Sequence, residues 1–324
     1  MFTFFLTPGY SVACITKMDK FIKDAGHITG HNALSTISVA ASIVLSNELN
    51  KIGGSVILLG CPGEYLGGTK NIMAMQGVFN DVDVVMECHP DVETCESGTS
   101  KAIIALEVKY SGRSGLTFLN RKAYTALDAL LLNINIINSL EKGFPEDVDL
   151  NYIISKAGYS PVVLPETAEA KFYIRSNKTS TAEFIENQLR NIACHVSTLT
   201  GINVNTSLYE PPSEELITNS TLNRLFSHNL KESGIIHISP KKNVNSGLSI
   251  GIVSKKVPTI HPYVSIVDNP NISYGTTDFA NISTTKYAIN QIKKAALALA
   301  FTAVDIITRE DLLTEIRNEF YNNK

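Results

Sequence analysis

The sequence lacks several features that would point to an extracellular or nucleic-acid-binding protein. Its 324 residues include no tryptophan, and its five cysteines are scattered and form no C-x-x-C pair. A disulfide framework or a zinc ribbon is therefore not expected, and reduced thiols are the default. The 28 basic and 31 acidic residues give a formal net charge of -3, so no positive excess favours nucleic acid or anionic membranes. A small or neutral partner fits this balance better.

Long apolar runs are also missing. The N-terminal stretch MFTFFLTPGYSVACI has no basic residue before it, and Pro8-Gly9 interrupt it well short of a membrane span. We therefore expect no secretion signal, no membrane segment and a cytoplasmic protein. Hydrophobic residues make up 44% of the chain and charged residues 18%, which is ordinary for a folded protein. The length allows one large or two medium domains.

The first third of the chain alternates between strand-like and helix-like patterns. The segments are YSVACIT (strand), NALSTISVAASIVLSNELNKI (helix), SVILLG (strand), GTKNIMAMQG (helix) and VDVVMEC (strand). This alternation predicts a parallel α/β sheet. Ligands of such sheets bind at the carboxyl ends of the strands, where this chain carries GHITGHN, CPGEYLGG and CHP. We expect these three polar clusters to form one site.

From about residue 101 the order of elements changes to β-α-β-β-α-β, which is typical of a ferredoxin-like module. Two long helices follow near the C-terminus, beginning near Thr284 and Arg309. We predict a discontinuous α/β domain at 1–100 and 210–324, with a smaller domain at 101–209 inserted into it.

The polar clusters carry a resemblance that extends over nearly the whole chain. GHITGHN is similar to G-H-x-C-G-H-N/D, CPGEYLGGTKNIMAMQGVF to P-A-E-E-G-G-G-G-K-x-x-M, and DVVMECHP to a strand that ends in a ligand histidine; LPETAEAKFYIRS and VPTIHPYV match further segments. These motifs resemble the zinc metallopeptidase family of aminoacylases and glutamate carboxypeptidases. The chain looks most like its amidohydrolase branch, which acts on acylated amino acids, p-aminobenzoyl-glutamate and small dipeptides. The resemblance implies a lid domain through which the family usually dimerises, so a homodimer is expected.

The resemblance also implies a site with two divalent metals, usually zinc or manganese. The metals lower the pKa of a bound water and polarise the amide carbonyl, and a glutamate takes the proton of that water. By resemblance, His31 and His89 fall on ligand histidines and Glu64 falls on the general base.

Three other ligand positions have changed. Thr29 stands at the ligand cysteine, Tyr65 at the ligand glutamate and Gly275 at the third ligand histidine. A hydroxyl binds zinc more weakly than a thiolate, and a phenol normally stays protonated near neutral pH. The resemblance therefore implies a degraded metal site.

Positions outside the metal shell differ as well. Ser249 replaces an aspartate, Leu116 and Asn151 replace lid histidines, and Val162 replaces an asparagine. Arg175 is retained; it would bind a substrate carboxylate or form an ion pair within the lid. The opening segment of the family is not matched, and we expect its loss to leave sheet surface uncovered.

Two functions of different class remain open from the sequence. The first is a degenerate, inactive member with a binding, structural or regulatory role. The second is an active, divergent amidohydrolase or dipeptidase in which His31 and His89 hold one zinc ion and Glu64 activates water or becomes a third ligand. For each histidine the alternative is an ordinary residue bonded to backbone, and for Glu64 it is a solvated loop carboxylate. We expect Cys61 and Cys88 to be packed thiols and His261 to support a loop through hydrogen bonding.

Overall fold

The computed structural model describes the backbone of residues 2–6 and residues 26–62, 68–120 and 122–322. Glu64, Tyr65 and the strand predicted from YSVACIT lie outside these residues. The chain divides into two compact units, Met1–Ser100 with Leu216–Lys324, and Lys101–Glu215. We call the second one the lid unit.

The strands and helices are numbered along the whole chain. In the first unit the strands are β1 (Phe2–Leu6), β2 (Val56–Gly60), β3 (Val84–Met86), β4 (His89–Asp91), β5 (Cys95–Ser97), β10 (Ser239–Lys242), β11 (Thr259–Ile260) and β12 (Tyr263–Ser265). Its helices are α1 (His31–Ile52), α2 (Thr69–Met75), α5 (Ser220–Glu232), α6 (Gly251–Ser254), α7 (Thr277–Ile282), α8 (Lys286–Thr308) and α9 (Glu310–Asn322). The lid unit contains β6 (Ala102–Ser111), α3 (Ala126–Leu140), β7 (Asp149–Lys156), β8 (Thr167–Ser176), α4 (Thr179–Thr200) and β9 (Asn203–Leu208).

The first sheet has the strand order β11-β3-β1-β2, and its strand pairs are parallel. Strand β1 lies between β2 and β3, with Phe2 opposite both Val56 and Val84 in register. The apolar composition of this terminal stretch did not by itself predict a strand. The run FTFFL has high β propensity and no turn residue, and a position between two parallel neighbours suits it.

The second sheet has the order β10-β5-β12-β4 and combines parallel and antiparallel pairs. Strand β4 pairs with β12 in parallel register, with His89 opposite Tyr263 and Asp91 opposite Ser265. This pairing brings two segments about 170 residues apart in sequence into one sheet. The pairing places His89 beside Tyr263.

Helices α1 and α8 pack against each other and contribute about half of the main core cluster of the first unit, including the fully buried Leu45 and Leu299. Their starts are defined by different caps. Helix α8 is capped by Thr285, whose hydroxyl accepts a hydrogen bond from Ala288 N, whereas α1 follows Gly30, which makes no side-chain cap. Small residues along α8, such as Ala295, allow close helix approach.

The lid unit has the predicted ferredoxin-like order of elements. Its sheet is antiparallel, with the order β7-β8-β6-β9, and α3 and α4 cover one face. In β8 every second residue is buried, as Phe172 and Ile174 show, which is the pattern of a strand with one covered face. Helix α3 starts with a reciprocal capping box between Thr125 and Asp128. None of the described helices is long and apolar enough to cross a membrane.

Candidate active site

The GHITGHN segment forms a tight loop that leads into α1. Gly30 has a φ of 75°, and its N–H donates to His27 O at 2.9 Å. A Cβ atom at Gly30 would lie 2.6 Å from Pro90 Cγ, so only glycine allows this approach. His31 is the first residue of α1 and is buried. The loop therefore places His31 directly beside the β4 strand.

His89 is the first residue of β4 and lies next to His31. Their ring centroids are 5.5 Å apart, with the ring planes nearly perpendicular. The Nδ1 atom of His89 is 2.8 Å from the carbonyl oxygen of Pro90. We assign the proton to Nδ1, because a carbonyl can only accept, and this leaves the Nε2 lone pair available. Burial, followed by the charges of His261 and His31, holds the pKa of His89 well below its ordinary value.

The third side of the site is the loop that contains Gly275. Its N–H donates to Ile28 O at 3.1 Å, so the loop lies against the GHITGHN segment. Gly275 has a φ of 81°, and its neighbour Tyr274 has its ring centroid 6.3 Å from that of His89. The loop thus reaches the histidine pair, but the residue that bonds to Ile28 has no side chain to offer.

A buried ion pair lies beside the histidines. Lys70 Nζ is 3.0 Å from Glu87 Oε2, and the two side chains are only 1% and 3% exposed. Lys70 lies in α2, and Glu87 lies between β3 and β4. The pair satisfies two charges that would otherwise be strongly destabilising inside the protein.

The imidazole ring of His261 contacts this cluster without making a hydrogen bond to the described residues. Its ring centroid is 5.4 Å from that of His89, and its Nδ1 is 3.9 Å from Glu87 Oε1. Neither ring nitrogen makes a hydrogen bond to the described residues. The backbone N–H of His261 does donate to Ser97 Oγ at 2.9 Å, so the residue joins two segments by a hydrogen bond, but its ring takes no part in that bond. Burial and the charges of Lys70, His31 and Lys242 lower its pKa to about 3, so the ring is neutral near neutral pH.

A second ion pair joins β4 to β10. Lys242 Nζ contacts Asp91 Oδ2, while Asp91 Oδ1 accepts a hydrogen bond from Val92 N at 2.6 Å. The Lys242 ammonium also lies 4.9 Å from the ring centroid of Tyr263 and 5.9 Å from that of Tyr274. Both tyrosines are neighbours of His89. A cation and two aromatic rings therefore border the histidine pair.

The cysteines next to the motifs are buried. Cys61 and Cys88 are both fully inaccessible, and burial together with the charge of Glu87 raises the pKa of Cys88. Cys61 Sγ lies 3.9 Å from Met73 Sδ. A thiol with a raised pKa is a poor source of the thiolate that zinc requires. Both residues are packed thiols, as expected.

The described residues do not fit a two-metal centre. Within 26–62, 68–120 and 122–322, no group of three or more His, Cys, Asp or Glu side chains is arranged to hold a metal ion. His31 and His89 converge, but Thr29 and Gly275 bring no imidazole, thiolate or carboxylate to them. Zinc sites normally need at least three protein ligands. The assignment of His31 and His89 as ligands therefore stays a prediction, and so does Glu64 as a base.

The remaining predicted residues lie as follows. In the lid unit, Arg175 Nη2 donates to Asn151 Oδ1, and its guanidinium lies 5.9 Å from the ring centroid of Tyr173. The contact seen for Arg175 is thus a side-chain hydrogen bond rather than the ion pair considered above. Leu116 and Val162 are exposed, and Ser249 is buried in the first unit.

The Lys70–Glu87 and Lys242–Asp91 ion pairs were not predicted from the sequence, although the sequence contains a signal for the first of them. Glu87 is an acidic residue at the end of the apolar run DVVMEC, and Lys70 follows two glycines at the start of a helix pattern. A charge in such a position is rarely buried without a partner. This signal does not identify the partner, because each pair joins segments that are separate in sequence.

No family model matches the chain. The chain is 28% identical over 303 residues to the Xaa-Arg dipeptidase of Mus musculus, covering 91% of this chain and 70% of that protein. It is 32% identical over 176 residues to one of the subunits of the p-aminobenzoyl-glutamate hydrolase of Escherichia coli, covering 52% of this chain and 36% of that protein.

Solved structures agree on the fold. An aminobenzoyl-glutamate utilization protein from Klebsiella pneumoniae matches with a TM-score of 0.66 and 12% identity, covering 94% of this chain and 70% of that one. A Bacillus subtilis protein described as a dinuclear metal-binding peptidase of the M20 family matches with a TM-score of 0.57 and 14% identity, covering 86% and 74%. The fold and the relatives define the class of peptidases and amidohydrolases. The chain is similar in sequence to a dipeptidase and to a p-aminobenzoyl-glutamate hydrolase subunit, and it has the fold of a solved peptidase of the M20 family.

Proposed function

We propose that this chain is a catalytically impaired M20 protein that still binds a small acylated amino acid or dipeptide. The observation that carries the proposal is the position of Gly275. Its loop is hydrogen-bonded to Ile28, beside the His31 and His89 pair, yet the residue at that contact has no side chain. Thr29, on the facing loop, offers a hydroxyl in place of a thiolate. On this proposal, two loops beside the histidine pair present neither the thiolate nor the imidazole that a metal would need.

The expected loss of activity is large. Replacing even residues that only orient a metal ligand commonly costs roughly 10- to 100-fold in metal affinity or activity. Direct loss of ligands should cost more. We propose that any metal is weakly held, as a single ion or not at all. The His89 tautomer favours a retained contact to a ligand, because its Nε2 lone pair is left available.

The first test measures metal content and hydrolysis together. The purified protein is reconstituted with zinc or manganese, analysed for bound metal, and assayed on Gly-Arg and p-aminobenzoyl-glutamate, the substrate types named by its relatives. We expect well below one metal per chain and no hydrolysis above background. One stoichiometric metal and an activity abolished by Glu64→Gln would overturn the proposal in favour of an active mononuclear enzyme.

A restoration variant sharpens this test. Thr29→Cys, Tyr65→Glu and Gly275→His together return the family's ligand types to the three changed positions. No atom lies within 4 Å of a Cβ built at Gly275, so the histidine has room, although a φ of 81° adds some strain. We expect metal binding to rise at least about tenfold over the wild type. The same triple variant with His89→Ala is the matched control and should lose that gain.

We also propose a homodimer formed through the lid unit. Strand β7 lies at the edge of the lid sheet and pairs only with β8 among the described strands. Three consecutive β7 residues, Tyr152, Ile153 and Ile154, are 38%, 63% and 42% exposed. An exposed apolar edge strand is a template for pairing with another strand, and a second copy of β7 would complete it in antiparallel fashion.

Molar mass by light scattering after size-exclusion chromatography tests the dimer. We expect the wild type to be dimeric and Ile153→Asp to be monomeric. Met75→Asp is the control, because Met75 is 79% exposed on α2 in the other unit. A monomeric wild type, or an Ile153→Asp protein that stays dimeric, would contradict this interface.

A further inference from the structure

Lys242 is held at the border of the histidine site by three neighbours. Its ammonium contacts Asp91, and the rings of Tyr263 and Tyr274 lie 4.9 and 5.9 Å from it. Asp91 is two residues after His89 in β4, and alternate residues of a strand face the same side. Both tyrosine rings are also within 6.3 Å of the His89 ring. Lys242 therefore lies on the side of β4 that faces the candidate site.

Lys242 is more exposed to solvent than Lys70, the cation of the buried ion pair. Lys70, which pairs with Glu87, is 1% exposed, whereas the Lys242 side chain is 33% exposed. An ammonium has three N–H donors, and Asp91 takes one of them. The Asp91 carboxylate is itself 2% exposed and also accepts the N–H of Val92. The lysine is thus anchored on its buried side and open on the other.

We propose that Lys242 binds the carboxylate of the ligand at this site, that is, the α-carboxylate of an acylated amino acid or dipeptide. This inference rests on the ligand binding proposed above. The two tyrosines and Asp91 hold the ammonium in one place before the ligand arrives, which reduces the entropy lost on binding. A charge-assisted hydrogen bond to this ammonium would make Lys242 a specificity residue that selects free acids over amides.

The test compares two probes that differ only in that charge, N-benzoyl-L-alanine and N-benzoyl-L-alaninamide. Their dissociation constants are measured by ligand-observed NMR titration at low ionic strength. We expect the wild type to bind the acid about tenfold more tightly than the amide, as expected for one hydrogen bond to a charged group. Lys242→Met should bring the ratio of the two constants close to one, and Lys242→Arg should keep a preference for the acid.

Matched variants separate binding from folding. Lys241→Met removes the neighbouring lysine, which is exposed and bonds to Ser220 Oγ, and should leave the ratio unchanged. Because Lys242→Met leaves a buried carboxylate without its cation, Lys242→Met with Asp91→Asn provides a second variant free of that charge. If either folded variant keeps the wild-type preference for the acid, the inference is wrong.

His31→Ala with His89→Ala distinguishes this inference from the proposed function. Loss of the histidines should weaken both probes about equally, whereas loss of Lys242 should weaken only the acid. Binding that depends on the histidines but shows no Lys242-dependent preference would overturn the role of Lys242 alone. Binding of both probes that ignores the histidines would overturn the proposed site.

Discussion

The ion pair between Lys70 and Glu87 should be essential for the stability of the first unit. Lys70→Met removes the ammonium but keeps an unbranched apolar side chain. At the observed 3.0 Å, two unit charges in an effective dielectric of about 20 attract by about 5 kcal/mol. Breaking a buried pair from one side typically costs about 3 to 5 kcal/mol, because the other charge stays buried. His261, neutral near neutral pH, does not replace the lost cation.

A surface pair of nearly identical geometry provides the control. Lys51 Nζ is 2.9 Å from Glu48 Oε2, but these side chains are 70% and 45% exposed. Lys51→Met should therefore cost less than about 0.5 kcal/mol. Lys70→Met with Glu87→Gln should recover more than half of the loss, because no unpaired charge remains.

Urea denaturation followed by far-ultraviolet circular dichroism measures these differences. Amide hydrogen exchange in α1 assigns them to the first unit, since the lid unit has a separate core. If Lys70→Met cost no more than Lys51→Met, burial would not govern the energetics of this pair and the reasoning would be refuted.

Two further predictions concern the same site. The pKa of His261 is about 3 in the folded protein against an ordinary 6.5, so the unfolded chain takes up this proton first as the pH falls. The free energy of unfolding is therefore unaffected by this group above pH 6.5 and decreases between pH 6.5 and 3. The decrease amounts to about 2 kcal/mol at pH 5. His261→Asn should flatten the dependence of unfolding free energy on pH in this window, and an unchanged slope would contradict the assignment. Gly30→Ala should cost more than about 2 kcal/mol in thermal or urea unfolding, because it adds a contact with Pro90 to the strain of a positive φ. Gly201→Ala, which has a similar φ of 70° and open space, should cost only about 1 kcal/mol; equal losses would show that the contact is unimportant.

Local patterns determined much of the architecture. The alternation of buried residues in β8 and the capping box of α3 are periodic or short-range features of the kind that a sequence pattern carries, and the observed lid elements follow the predicted β-α-β-β-α-β order. The two C-terminal helices begin within about two residues of the predicted starts, at Lys286 and Glu310. The motifs around His31 and His89 indicated that these two residues would meet, and their rings lie 5.5 Å apart.

The tertiary structure decided which groups actually surround the histidines. Gly275 bonds to a residue almost 250 positions earlier, Lys70 finds its partner in Glu87, and Lys242 finds its partner in Asp91. No local period or propensity encodes such contacts, because they depend on how sheets and loops close on one another. The sequence alone thus determined which residue types stand at the motif positions, and through the resemblance it predicted a changed set of ligands. Only the fold showed that the loops of Thr29 and Gly275 are joined by a hydrogen bond beside the histidine pair, and that two ion pairs and a neutral histidine lie next to it.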